Sequence, residues 1–150
     1  MADHSGASHD LHATAAQRLR SDGQRYTSNR REIVEALDAV QHPLTIPEIL
    51  DANAELAQSS VYRNLVVLER SGVVSKVVTN NEWSRYELAE DLTGHHHHLI
   101  CSSCGAVRDV DVPEPLEASI DAALSELAAQ HGFTLDDHRL DLLGTCEACR

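Results

Sequence analysis

The sequence predicts an α+β chain made of two small units, and three observations lead there. Helical periodicity runs through much of the first 88 residues and gives way to two short strand patterns. After a polar hinge, further strand patterns flank one long helix. All four cysteines fall in that second part as two Cys-x-x-Cys pairs, Cys101/Cys104 and Cys146/Cys149. At 150 residues, with 42% hydrophobic but only 3% aromatic content, each core must be built from Leu, Val, Ile and Ala. Cores this small are marginal alone, so a metal staple and burial against a second copy are the expected supports.

Residues 1–13 are polar, with Gly6 and scattered histidines (His4, His9, His12), and read as a flexible, solvated tail. A short helix over 14–21 stops at Asp22-Gly23. Thr27 or Ser28 caps the next helix, where Ile33, Val34, Leu37 and Val40 recur at helical spacing before Pro43. Thr45 caps a third helix, with Pro47 in its first turn and Ile49 and Leu50 facing the core. Ser59 or Ser60 caps a fourth, over 61–70, ended by Ser71-Gly72. Its apolar stripe is Val61, Leu65 and Leu68, from which Tyr62, Arg63 and Asn64 are offset. Strands over 73–78 and 83–88 follow, joined by a turn at Asn80-Asn81. Short helices followed by a β-hairpin describe a winged helix-turn-helix over 14–88, with the fourth helix in the recognition position and the hairpin as wing.

Residues 89–94 form the hinge. Beyond it a strand over 95–101 runs into the knuckle Cys101-Ser102-Ser103-Cys104-Gly105, and a second strand covers 106–110. Pro113 and Pro115 introduce a helix to Gln130, with Leu116, Ile120, Leu124 and Leu127 on one face and Gly132 as its stop. A last strand over 133–143 carries His138, Leu140 and Leu142 in alternation. Residues 95–150 thus read as a small α/β module, and the chain has no internal repeat.

Four thiolates brought together are the tetrahedral soft-donor set of a closed zinc site. Two disulfides, or a redox pair within one Cys-x-x-Cys, are the alternatives. The N-terminus shows no apolar signal core, so a reducing cytoplasm is the expected location. Four histidines, His95 to His98, stand just before the first pair and cannot join a saturated four-cysteine site. On a strand, successive side chains face opposite ways, so His95 and His97 share one face and His96 and His98 the other. One segment can then serve two further metal sites. A polar loop or an expression tag is the plain alternative, but this run is internal and abuts Leu99-Ile100-Cys101.

The net charge of −12 argues against indiscriminate nucleic-acid binding. Residues 1–88 hold nine Lys/Arg against twelve Asp/Glu, whereas 89–150 hold three against twelve. Arg18, Arg20, Arg25, Arg30 and Arg31 stand close together with only Asp22 among them. That stretch is either a phosphate-facing patch or ordinary solvated helix charge. The acidic second part suits divalent cations. No apolar run approaches the roughly 20 residues of a membrane span, so no membrane partner is expected. His/Glu clusters also build hydrolytic sites, but neither HExxH nor GxSxG occurs, so an enzyme is not expected. A zinc-binding storage or interaction module remains the alternative of a different class, and it would need no winged helix.

Specific runs carry a family resemblance. They are Ser60-Val61-Tyr62-Arg63-Asn64-Leu65, Arg85-Tyr86-Glu87-Leu88, His95 to Gly105, and His131-Gly132-Phe133 followed by His138 and Cys146-x-x-Cys149. With this ordered set the chain resembles, over nearly all its length, the ferric uptake regulator superfamily of bacterial metal-dependent repressors. The resemblance implies a cytoplasmic homodimer with an N-terminal DNA-binding domain and a C-terminal dimerisation domain. Such a dimer takes up a regulatory divalent ion at the domain junction and then clasps a palindromic, A/T-rich operator to repress metal homeostasis genes. Carried over by position, structural Zn(2+) falls on Cys101, Cys104, Cys146 and Cys149. The regulatory ion falls on His42, Glu87, His96, His98 and Asp109, with Glu90 or Asp91 as alternatives to Glu87. An additional ion falls on His95, His97, Glu117 and His138. DNA contacts fall on Arg25, Arg30, Ser60, Tyr62, Arg63 and Asn64. The N and O donors of the regulatory set suit Fe(2+), Mn(2+) or Zn(2+), and the affinity order favours Zn(2+). Glu87 resembles the iron sensors and Asp109 the peroxide sensors. Iron-responsive repression is the first reading, with zinc-uptake or peroxide- or manganese-responsive regulation as alternatives.

Overall fold

Leu11, Ala15 and Leu19 stand four residues apart, on one face of a helix, and all three are buried. They belong to α1, Ser5–Ser21. The computed structural model describes residues 5–79 and 84–150, with the side chains of α1 from Leu11 onward. The tail expected over 1–13 is therefore helical from residue 5, because the apolar period opens at Leu11 rather than after Thr14. His12, expected in solvent, is half-buried, with Nδ1 2.7 Å from the Tyr26 hydroxyl. Burial pushes that hydroxyl up to about 12, so it stays protonated at neutral pH.

Two compact units divide the chain, Met1–Gly94 and His95–Arg150. In the first, α2 (Ser28–Asp38) is capped by Thr27 and buries Ile33, Val34 and Leu37. A two-residue strand, β1 (Leu44–Thr45), leads into α3 (Ile46–Ala52). Thr45 and Glu48 close a capping box there. Thr45 N donates to Glu48 Oε2 at 2.7 Å, and Glu48 N donates back to Thr45 Oγ1 at 3.4 Å. Burial opposes ionisation of Glu48, but the donors of Thr45 outweigh it and hold the carboxyl below its ordinary range. Ile49 is buried, whereas Leu50 is half-buried against the same core.

Helix α4 spans Gln58–Arg70. It starts three residues earlier than expected, its N-cap is Ala57, and no side chain caps it. Ser59 and Ser60, expected as caps, lie inside the first turn. Its C-terminus closes on Gly72, whose φ of 72° supplies the left-handed residue that lets Val73 N reach Leu68 O at 2.9 Å. Strands β2 (Val74–Val77) and β3 (Arg85–Leu88) form the wing, and the sheet order is β1-β3-β2, all antiparallel. The turn expected at Asn80-Asn81 and the strand start at Trp83 lie outside the described residues. Leu19, Ile33, Ile49, Val61, Leu65, Leu68 and Val73 make the core between helices and wing. The polar hinge holds one further helical turn, α5 (Glu90–Thr93).

In the second unit β4 (His97–Cys101) is central, antiparallel to β5 (Val107–Val110) and parallel to β6 (Asp141–Gly144). Helix α6 spans Glu114–Gln130, and a 3-10 turn over Glu147–Cys149 ends the chain. All three strands differ from their sequence patterns. The first begins at His97 instead of 95, the second at Val107 instead of 106, and the last spans Asp141–Gly144, the stretch that pairs with β4, where 133–143 was expected. The face of α6 expected to be core is only partly covered: no residue of the helix is buried, Ile120 and Leu124 are half-buried, and Leu116 and Leu127 are exposed. Among the described residues no helix is long and apolar enough to cross a membrane.

Candidate metal centres and nucleic-acid interface

The pairing of Cys101 with Gly144 across β4 and β6, and the bond from Ser102 N to Gly144 O at 2.8 Å, bring the two knuckles together. All four Sγ atoms lie within 4.8 Å of one another. None forms a disulfide. A Zn–S bond of about 2.3 Å implies sulfurs about 3.8 Å apart in a tetrahedron. Cys104 and Cys146 stand 3.8 Å apart, against about 2.05 Å for a disulfide. The backbone N–H groups of Cys104, Cys146 and Ser103 lower the Cys101 thiol to about 6, the Cys146 bond measuring 3.3 Å. Hydrogen bonding to neighbouring thiols pushes Cys149 up to about 12, a situation that a bound cation reverses. Four convergent sulfurs, one already favoured as thiolate, fit a zinc ion.

The histidine run splits by faces. On one side, His95 Nε2 and His97 Nε2 lie 2.9 and 3.0 Å from the two oxygens of Glu117 on α6. His138 Nε2 lies 2.8 Å from Glu117 Oε1. Burial pushes Glu117 upward, but the hydrogen bonds of His97 and His95 prevail and hold it below the usual carboxylate range. His97 is only 1% exposed and its buried Nδ1 makes no hydrogen bond, while the buried Nε2 of His138 touches Glu117 Oε1 without hydrogen-bond geometry. Three imidazole nitrogens converging on one carboxylate, all four ligand atoms within 4.8 Å of one another, fit a divalent cation. The other nitrogen of His138, Nδ1, is 2.9 Å from Asp121 Oδ1.

On the opposite side, ligand atoms of His96, His98 and Asp109 gather within 4.8 Å of one another. Strand register explains this, since His98 lies directly across from Asp109 on β5. His98 Nε2 is 3.8 Å from Asp109 Oδ1, while its Nδ1 lies 3.1 Å from Asp141 Oδ1 on β6. Asp121 and Asp141 were not anticipated from sequence. Glu87 is half-buried on β3 of the first unit, and His42 is exposed in the loop before β1. Asp91, an alternative to Glu87, is paired with Arg18, whose hydrogen bond holds that carboxyl below its usual range. Glu90 opens α5.

On α4, Val61, Leu65 and Leu68 turn inward while Tyr62 (60% exposed) and Arg63 turn outward. Arg63 Nε donates back to Ser59 O at 3.3 Å. Arg25 is exposed. Arg30 is engaged internally: Nε donates to Asn64 Oδ1 at 2.9 Å, Nη1 to Arg25 O at 2.5 Å and Nη2 to Gln24 Oε1 at 3.2 Å. Asn64 Nδ2 donates to Ser60 O at 2.9 Å, and Asn29 Nδ2 to Ser60 Oγ at 3.1 Å. Arg18 donates to Gly72 O at 2.6 Å as well as to Asp91, and Arg31 faces Glu35 at 3.5 Å. The basic stretch is therefore less uniformly available than its composition suggests.

A winged-helix unit followed by an α+β unit with a four-cysteine cluster and histidine–carboxylate clusters defines a class, the metal-responsive transcription regulators. The Ferric uptake regulator family model matches residues 21–143. The Peroxide operon regulator of Bacillus subtilis (strain 168) is 31% identical over 148 residues, covering 95% of each chain. The Ferric uptake regulation protein of Rhizobium leguminosarum bv. viciae is 33% identical over 140 residues, 90% of this chain and 93% of the relative. Among solved structures, the Helicobacter pylori ferric uptake regulator, described as having three functional metal binding sites, aligns with a TM-score of 0.74. That match has 25% identity and covers 94% of this chain and 92% of the other. The chain belongs to the ferric uptake regulator family, whose members are regulators of transcription rather than enzymes.

Proposed function

We propose that this chain is a metal-dependent repressor that binds a palindromic, A/T-rich operator as a homodimer, with Fe(2+) as the regulatory ion. The observation that carries the reading is the division of one histidine run between two carboxylate clusters, next to a separate four-sulfur cluster. The sulfurs take the structural role and leave the histidines for regulation. His96, His98 and Asp109 hold the regulatory ion together with Glu87 from the first unit, and His42 is a further candidate. A divalent cation supplies one positive centre on which ligands from both units converge. Side chains drawn from both sides of the hinge then favour one domain arrangement by differential affinity. His95, His97, Glu117 and His138 hold the additional ion within the second unit. On DNA, Tyr62 packs against thymine methyl groups and Arg63 reaches base edges or phosphate from α4, while Arg25 approaches the backbone. The partly covered apolar face of α6 meets a second copy.

A peroxide-responsive regulator is the second reading, favoured by Asp109 among the ligands and by the match to the Bacillus subtilis regulator. One experiment separates these readings. Duplex binding by the full-length protein is measured with Fe(2+), Mn(2+) and Zn(2+) in turn, then after brief exposure of the Fe(2+)-loaded protein to hydrogen peroxide. Iron-dependent binding that survives peroxide supports the first reading, and selective loss after peroxide supports the second. Binding indifferent to every metal sinks both.

A further inference from the structure

We infer that Arg30 is a positioning residue for α4, fixing the helix on α2 through Asn64, and is not a phosphate contact. The inference rests on the reading of α4 as the recognition helix. Arg30 spends three different guanidinium nitrogens on three internal acceptors, Asn64 Oδ1, Arg25 O and Gln24 Oε1. The amide of Asn64 is thereby oriented, oxygen toward Arg30 and nitrogen toward Ser60. Asn29 of α2 closes the same circuit from the other side by donating to Ser60 Oγ.

This circuit lands on the part of α4 that has least local support. The N-cap, Ala57, makes no side-chain bond to the first turn. A helix start without a side-chain cap is weaker than a capped one. Ser60 and Asn64 lie one turn apart on the half-buried flank of α4, while Tyr62 and Arg63 occupy the exposed flank. Holding Ser60 and Asn64 against α2 therefore sets the rotation of Tyr62 and Arg63 about the helix axis, and their distance from Arg25. A lysine cannot replace this arrangement, because one ammonium on a flexible stem does not span three acceptors in a fixed plane.

The test uses the Mn(2+)-loaded full-length protein and three variants, Arg30→Lys, Arg30→Ala and Asn64→Ala. The probes are the tightest duplex that the wild type selects from a random pool, and an unrelated duplex. Affinity is measured across a salt series, and amide exchange across residues 58–64. A positioning role predicts that all three variants lose about tenfold in affinity for the selected duplex, about 1.4 kcal/mol. Their salt slope stays at the wild-type value, binding to the unrelated duplex is unchanged, and the first turn of α4 exchanges faster. A phosphate contact predicts the reverse: Arg30→Ala lowers the salt slope by about one and weakens both duplexes alike, while Arg30→Lys restores binding. That outcome, or unaltered exchange in all three variants, overturns the inference. If the wild type selects no duplex, the repressor reading fails, and the exchange measurement still decides the role of Arg30.

Discussion

Asp121 and Asp141 each set a carboxylate oxygen beside Nδ1 of a histidine, at 2.9 Å from His138 and 3.1 Å from His98. In both rings Nε2 is then the nitrogen turned toward the ligand cluster, at Glu117 for His138 and at Asp109 for His98. An outer carboxylate of this kind fixes tautomer and ring orientation. Asp121→Ala is expected to weaken the His95/His97/Glu117/His138 centre for Mn(2+) by about 10–100-fold and Asp141→Ala the His96/His98/Asp109 centre by a similar factor, each leaving the other centre intact. Competition with a chromophoric chelator measures both. Equal losses at the two centres in either variant would mean that the substitution loosens the fold instead of one ring. Asp121 had a sequence signal, one helical turn beyond Glu117 on the same face. Asp141 had none, because its approach to His98 depends on which strand lies beside β4.

At the scale of elements, the first helix departs most from expectation. If residues 5–13 were solvated, Leu11→Ala would be nearly neutral. Since Leu11 is buried against the core, the substitution should cost about 2–4 kcal/mol, read from urea unfolding of the whole chain. An unshifted midpoint would return that segment to the solvent. Elsewhere the locally encoded features were legible. Thr27 and Thr45 cap as expected, and Gly72 closes α4. The stripe Val61-Leu65-Leu68 is buried, and alternation along 95–98 sorts the histidines by face. The features that were missed depend on a distant partner. β1 exists because Leu44 pairs with Tyr86. β6 shrinks to the residues that find β4. Ser60, a plausible cap by composition, is drawn instead to Asn29 and Asn64.

For the whole molecule, the second unit cannot be read as a finished globule. Leu116, Leu127, Phe133, Leu142 and Leu143 are exposed, with Phe133 at 74%, and no residue of α6 is fully buried. Exposed apolar surface on this scale marks an interaction face. Leu127→Asp is therefore expected to convert a dimer into monomers in sedimentation at micromolar concentration, with zinc still bound by the four cysteines. A dimer of unchanged strength would put the interface on another face of the unit.

The late start of β4 has a further consequence. His95 and His96 precede the ladder and are adjacent in the chain, yet each belongs to a different ligand cluster, so the two clusters share one short stretch of backbone. An ion that fixes the ring of one neighbour also restrains the backbone that carries the other. The second ion meets ligands already in place, which is positive cooperativity without any change of fold. Mn(2+) titration of the zinc-loaded wild type should give a Hill coefficient above one. The His95/His97 and His96/His98 double alanine variants should each bind at their remaining centre more weakly and without cooperativity.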